Sequence, residues 1–153
     1  MKNYTSSVPV ETTVSRIEKF LAKAGAIGVA KSYANGEVTS LCFNLHDLTT
    51  GRGMTIRLPA KAAAVEKVLM EQVRKPQRGT LKRIKDQAGR TAWKLMQDWV
   101  EVQLSLVEMG QADSLQVFLP YVYDGKRTLY EAFKAGGFKM LPEAKEARGE
   151  GGK

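Results

Sequence analysis

The sequence is poor in the residue types that most often carry catalysis or cross-links. Its 153 residues include one cysteine, Cys42, and one histidine, His46. A single cysteine excludes an intramolecular disulfide and is typical of a reducing compartment. His46 is followed by Asp47, but histidine–aspartate metal sites need further histidines, which the chain does not contain. These absences argue against a disulfide-stabilised fold and a histidine-rich metal centre.

Long apolar runs are also missing. No stretch approaches the 18 residues of a transmembrane helix, and the first residues lack the apolar segment of a signal peptide. Hydrophobic residues make up 43% of the chain and charged residues 26%, which is ordinary for one globular domain. We therefore expect a cytoplasmic protein with no membrane partner.

The spacing of apolar residues in the first part of the chain predicts a helix followed by a sheet. Pro9–Ala24 follows a helical period and ends before a glycine. The segments Ala26–Tyr33, Val38–His46 and Met54–Pro59 alternate in polarity, as strands with one covered face do. Asn35-Gly36 suits a type I′ turn between the first two strands. We predict an antiparallel meander of about three strands.

The remainder of the chain predicts helices, which together with the sheet make an α+β fold packed on one sheet face. Ala60–Lys75 is an alanine-rich helix, and Thr128–Ala135 is a short one. Residues 113–123 fit a short helix slightly better than a strand. We predict a flexible leader over residues 1–8, one domain over 9–142 and a disordered tail over 143–153. The predicted buried side of the second helix comprises Ala64, Val65, Val68, Leu69 and Val73, and Phe138, Met140 and Leu141 are expected to fix the chain end to the core.

One long helix, predicted from Thr80 to about Gly110, forms the spine of this fold. Its apolar stripe includes Leu81, Ile84, Ala88, Ala92, Leu95, Trp99, Val102, Leu106 and Met109. From Trp93 onward a second apolar stripe joins the first, so the C-terminal half should lie between other elements. This two-sided half is also compatible with a homodimer seam.

Positive charge is concentrated at the start of this helix. The net charge of the chain is +8, and residues 74–94 carry eight basic residues against Asp86 alone, whereas the remainder is almost neutral. A localised basic patch is typical of proteins that bind polyanions, although a solvated, solubilising helix face is the alternative. The predicted nucleic-acid-binding residues are Arg74, Lys75, Arg78, Lys82, Arg83, Lys85, Arg90 and Lys94.

Aromatic residues near this patch could stack on the bases of a single strand. The candidates are Tyr33 at the hairpin tip, Trp93, and Tyr121 or Tyr123, although Trp93 and Trp99 at helical spacing are more often core residues. Motifs for helix-turn-helix, zinc-finger or RNA-recognition domains are absent from the sequence. We therefore predict binding with little sequence specificity, with single-stranded DNA slightly favoured.

Catalytic chemistry has weaker support. Cys42 and His46 would share a strand face but lie roughly 13 Å apart, too far for a nucleophile pair. Asp98 and Glu101 lie three residues apart on the long helix and could share a metal, although an exposed acidic face explains them equally well. No phosphate-binding glycine loop is present, and we predict no cofactor.

Three segments resemble short uncharacterised proteins encoded in phage and prophage-like regions. They are Arg90-Thr91-Ala92-Trp93-Lys94, Asp98-Trp99-Val100 and Phe118-Leu119-Pro120-Tyr121. The resemblance covers roughly residues 54–142 and implies no particular activity. A helix, a meander and a long helix also give a loose, fold-level likeness to single-strand annealing proteins, which does not determine function.

Together these patterns predict a non-enzymatic nucleic-acid-binding accessory protein of phage or mobile-element type. The alternative is a protein-interaction module, an inhibitor or adaptor that presents the basic face to an acidic protein partner. A metal-dependent nuclease using Asp98 and Glu101 is a third hypothesis.

Overall fold

The computed structural model describes residues 2–46 and 51–145, and it confirms the predicted α+β fold. An antiparallel sheet is covered on one face by helices. No helix in the described ranges is long and apolar enough to cross a membrane. In chain order the elements are α1 (Val10–Lys23), β1 (Ile27–Ala34), β2 (Glu37–His46), β3 (Gly53–Pro59), α2 (Ala62–Glu71), α3 (Thr80–Glu108), α4 (Ser114–Phe118) and α5 (Leu129–Ala135), with a 3₁₀ turn at Leu119–Tyr121 after α4.

The sheet is the predicted meander, with strand order β1-β2-β3 and antiparallel pairing throughout. Asn35 and Gly36 connect β1 to β2 with φ values of 51° and 78°, the positive angles that a type I′ turn requires. Leu41 of β2 faces Leu58 of β3 across the register, and both are buried. The alternation read from the sequence thus places one apolar face of β2 and β3 toward the helices. The expectation of a covered face is wrong for β1, an edge strand that is exposed at every residue except the half-buried Val29.

The main core lies between this sheet face and helices α1 and α3. The Trp93 ring is fully enclosed there, and Phe118, from α4, contacts Phe43 of the sheet edge-on with ring centroids 5.7 Å apart. Burial of each large apolar side chain contributes about 1.5–3 kcal/mol to folding. The buried residues of this core are Val14, Ile17, Leu21, Leu41, Phe43, Leu45, Ile56, Leu58, Trp93, Val100 and Phe118.

A second, smaller cluster joins α2 to the first half of α3. Leu69, Ile84 and Ala88 are buried in it, and Val65 and Val73 pack against them. The expectation that Ala64 and Val68 are buried is wrong, because α2 packs mainly against one helix and needs only a narrow apolar stripe. Helix α2 also ends at Glu71, four residues before the predicted end, which leaves a longer loop before α3.

The apolar stripe predicted along α3 is not covered over its whole length. Leu81 is exposed near the start of the helix, Val102 in its second half is 56% exposed, and Met109, directly after its end, is 74% exposed. Within the described part of the chain, the stripe is covered at residues such as Ile84 and Ala88, where α2 packs against it.

The C-terminal segment adds a short edge to the sheet. Residues 114–118 form the helix that the sequence slightly favoured, and Val122 then bridges to Ile56 of β3. Phe138 contacts the Tyr130 ring at 5.8 Å, but Met140 is 81% exposed and Leu141 is also exposed. The expectation that these last two residues bind the core is wrong, because α5 packs against the 3₁₀ turn rather than the main core.

The predicted domain limits stay a prediction. Residues 146–153 of the predicted tail lie outside the described residues, as does residue 1 of the predicted leader.

Candidate nucleic-acid interface

The loop between α2 and α3 presents three of the predicted cations on an anchored bend. The Gln77 amide donates to the Thr80 hydroxyl at 2.8 Å, and the Thr80 amide donates to the Gln77 carbonyl at 3.1 Å. Gly79 then enters α3 with φ 85°, a left-handed conformation that favours glycine. The bend is therefore held by its own hydrogen bonds while its basic side chains, those of Arg74, Lys75 and Arg78, are exposed.

The first turns of α3 continue this positive surface. Lys82, Arg83 and Lys85 are exposed, and none of their side chains makes a hydrogen bond or ion pair within residues 2–46 and 51–145. Asp86 is the one acidic residue between positions 74 and 94. We call the six exposed cations the basic surface: Arg74, Lys75, Arg78, Lys82, Arg83 and Lys85.

The backbone at the start of α3 adds to the positive potential. The first turn contains no acidic residue, and no side chain caps it. Within the described chain, the amides of Leu81 and Lys82 find no acceptor. Free amides at a helix N-terminus carry partial positive charge and attract anions, so the helix dipole and the lysine and arginine charges act in the same direction here.

Arg90 and Lys94 are placed differently from the other six predicted residues. The Arg90 Nε donates to the Ser6 carbonyl at 3.0 Å, and its Nη2 donates to Gln87 Oε1 at 2.7 Å. Lys94 Nζ lies 3.6 Å from a carboxylate oxygen of Asp98, four residues further along α3. Both cations are half-buried and already have partners, so the structure does not bring them into the exposed basic surface.

These partners belong to a contact between residues 2–8 and α3. The Asn3 amide donates to Asp98 at 2.7 Å, Lys2 Nζ lies 3.4 Å from the same carboxylate, and Thr91 donates to the Asn3 carbonyl at 2.9 Å. Burial raises the pKa of Asp98, but the Asn3 hydrogen bond and the charges of Lys94 and Lys2 outweigh it and hold the pKa below its usual value. The predicted flexibility of this leader stays a prediction; its hydrogen bonds to α3 were not visible in the sequence.

Most of the aromatic side chains considered for base stacking already pack against other parts of the protein. Trp93 is 2% exposed and donates its indole N–H to the Val38 carbonyl at 3.2 Å, so it is the core residue that its helical spacing favoured and not a stacking platform. Tyr121 is half-buried and packs edge-on against Trp99 at 5.4 Å. The half-buried Tyr123 lies under the guanidinium group of Arg57, which is 5.4 Å from the centroid of its ring. The rings of Trp93, Tyr121 and Tyr123 therefore already contact other groups of the protein.

Tyr33 is different, because its side chain is 62% exposed at the tip of the β1–β2 hairpin. It borders a cleft of about 370 Å³ that sequence reasoning missed, since the cleft forms between distant segments. The available signal was Gly89, an isolated glycine inside a helical pattern, which usually has a packing or functional reason; it lines this cleft. We call this cavity the hairpin cleft; its charged lining residues are Glu11, Lys31, Glu37, Lys85, Asp86 and Arg90.

The residues considered for catalysis do not form a reactive group. Burial raises the pKa of the Cys42 thiol, although the charge of Arg57 lowers it, so the reactive thiolate is disfavoured. Both Asp98 oxygens contact the nitrogen atoms described above. No cluster of three or more histidine, cysteine or acidic residues suited to a metal occurs within the described ranges. Asp47, beside the exposed His46, lies outside them.

No protein-family model, curated protein or solved structure matches this chain.

Proposed function

We propose that this chain is a non-enzymatic nucleic-acid-binding accessory protein of phage or mobile-element type. It contacts phosphate backbones through the basic surface, with little sequence specificity. The observation that carries this proposal is the concentration of six exposed cations at one bend and helix start, where Lys82, Arg83 and Lys85 make no ion pair in the described chain. The phage type rests on the resemblance of three sequence segments.

The electrostatic cost of this arrangement supports a binding role. Cations in the first turn of a helix are unfavourable by about 0.3–1 kcal/mol each, because they lie beside the positive end of the helix dipole. Lys82 and Arg83 occupy such positions, and Arg78 precedes the helix cap. A bound phosphate would relieve both the charge repulsion and the unsatisfied amides of Leu81 and Lys82.

Low sequence specificity follows from the kind of contact. Lysine and arginine contacts to phosphates determine position and affinity but carry no base information. The same proposal includes a cytoplasmic location and a nucleic acid, not a membrane, as the partner.

The test is fluorescence anisotropy with labelled single-stranded DNA, duplex DNA and RNA. The variant is the triple charge reversal Lys82→Glu, Arg83→Glu and Lys85→Glu, whose side chains are exposed and make no ion pair in the described chain. A matched control reverses Lys126, Lys134 and Lys139, three exposed lysines in the C-terminal part of the chain. Both variants change the net charge equally, and circular dichroism checks that both fold.

We expect the first variant to lose binding to all three ligands and the control to bind nearly as the wild type does. Equal losses in both variants would indicate an effect of net charge alone and would contradict the assignment. Unchanged binding in the first variant would also contradict it.

A protein-interaction module is the second candidate, and the exposed apolar residues Val102 and Met109 favour it. Positions seven residues apart share one face of a helix, and exposed apolar residues on one face mark protein contacts, either with an acidic partner protein that also meets the basic surface or with a second copy of this chain. Absence of wild-type binding to nucleic acid at low salt, together with one-to-one binding to an acidic protein, would favour this function.

A further inference from the structure

The hairpin cleft and the basic surface are continuous through Lys85. This residue belongs to the basic surface and also lines the cleft, as Tyr33 at the hairpin tip does. At about 370 Å³ the cleft lies at the small end of the range for small-molecule sites, about 300–1,000 Å³. A nucleic-acid strand whose phosphates contact the basic surface would therefore lie beside the hairpin cleft. The exposed ring of Tyr33 lies at the edge of that cleft.

The cleft carries charges of both signs, whereas the basic surface carries only positive charge. Glu11, Glu37 and Asp86 line it together with Lys31, Lys85 and Arg90, so acidic and basic groups balance. Arg90 is already hydrogen bonded to Ser6, and Lys31 is paired with Glu18 at 2.8 Å. Carboxylates repel phosphates but accept hydrogen bonds from the N–H groups of bases. The interior therefore suits a base, while the phosphates stay on the basic surface outside.

We infer that the hairpin cleft binds one unpaired base of a single-stranded nucleic acid, stacked on the Tyr33 ring, with a neighbouring phosphate on Lys85. This inference rests on the proposed function and specifies its ligand class. A single strand can turn a base out of its backbone and place the face of that base on an aromatic ring. In a duplex the faces of each base are covered by neighbouring bases, so Tyr33 gains no stack unless a base pair is opened.

The test compares Tyr33→Leu and Tyr33→Phe with the wild type, using labelled oligo-deoxythymidine and a mixed-sequence duplex in anisotropy titrations. Tyr33 lies at an exposed hairpin tip, so neither substitution removes a buried contact. The matched control is Tyr130→Leu, which changes another exposed tyrosine, on α5. We expect Tyr33→Leu to weaken single-strand binding about 5- to 150-fold, the loss of one base–aromatic stack. Tyr33→Phe, which keeps the ring, should bind within about 2-fold of the wild type.

Duplex binding distinguishes this inference from the proposed function. It should be unchanged in Tyr33→Leu, because backbone contacts alone hold a duplex. Unchanged single-strand affinity in Tyr33→Leu, an equal loss for single strand and duplex, or a Tyr33→Phe variant as weak as Tyr33→Leu would each overturn the stacking site and leave the basic surface intact. Absence of wild-type binding to either ligand at low salt would overturn the proposed function and this inference together.

Discussion

Salt concentration is the perturbation that reports most directly on the basic surface. Each phosphate neutralised on a single strand releases counterions and contributes about −0.7 to the slope of log K against log salt. The basic surface holds six exposed cations, Arg74, Lys75, Arg78, Lys82, Arg83 and Lys85. If all six contact phosphates, the slope is about −4, and raising salt from about 50 to about 200 mM lowers the affinity about 300-fold.

The same count predicts the behaviour of the triple variant Lys82→Glu, Arg83→Glu and Lys85→Glu. Three cations of the basic surface remain in it, so the slope should fall to about −2 or shallower. The assay is anisotropy with one labelled single strand at four salt concentrations, with the Lys126, Lys134 and Lys139 reversals as control. Arg90 and Lys94 are left out of the count, because Ser6, Gln87 and Asp98 already bind them.

Two results would refute this reasoning. A wild-type slope shallower than about −1 would mean that fewer than two phosphates are neutralised, whatever the affinity. A slope that stays the same in the triple variant would mean that the contacts lie elsewhere on the protein.

A third result would extend the count of contacts. A slope clearly steeper than about −4 would mean that further cations, such as Arg90 and Lys94, exchange their present partners for phosphates.

Two predictions concern the fold that supports this surface. Phe118 is fully buried and contacts the Phe43 and Trp99 rings at 5.7 and 5.8 Å, so Phe118→Ala should lower the free energy of unfolding by about 3–5 kcal/mol in urea titrations, and Phe118→Leu by less; a loss below about 1 kcal/mol would contradict the assignment of Phe118 to the core. The pKa of Asp98 is lowered in the fold, so its bonds to Asn3, Lys2 and Lys94 contribute stability that is fully present above the ordinary carboxyl pKa and is lost as pH falls through the lowered one. Asp98→Ala should therefore flatten the acid side of a plot of unfolding free energy against pH, and identical curves for variant and wild type would show that this contact does not contribute.

The parts of the fold that depend on local sequence could be predicted. The Asn35-Gly36 turn, the alternation in β2 and β3 and the helical period of α1 appear in the structure within two residues of their expected positions. Each of these signals acts between residues that are close in sequence. The buried side of α2 was predicted less well, because which of its apolar residues are covered depends on where α3 lies.

The candidate site also has a part that could be predicted from local sequence and a part that depends on contacts between distant residues. Charge clustering alone located the exposed cations of the loop and of the first turns of α3. It could not show that Arg90 donates to Ser6, 84 residues earlier, or that the indole of Trp93 donates to Val38, 55 residues earlier. The hairpin cleft depends on the same long-range contacts, because α1, the hairpin and α3 meet there.

The two halves of helix α3 have different roles: the second half contributes to the stability of the core, and the first turns carry the proposed binding surface. Its later residues Trp93 and Val100 are buried in the main core, whereas Lys82 and Arg83 lie exposed at an uncapped start. The repulsion of these cations by the helix dipole costs about 0.3–1 kcal/mol each, less than burial of a single large core side chain contributes. The core can therefore hold an unfavourable positive helix end in place without a bound anion. For this reason substitutions of Lys82 and Arg83 should change binding far more than they change folding.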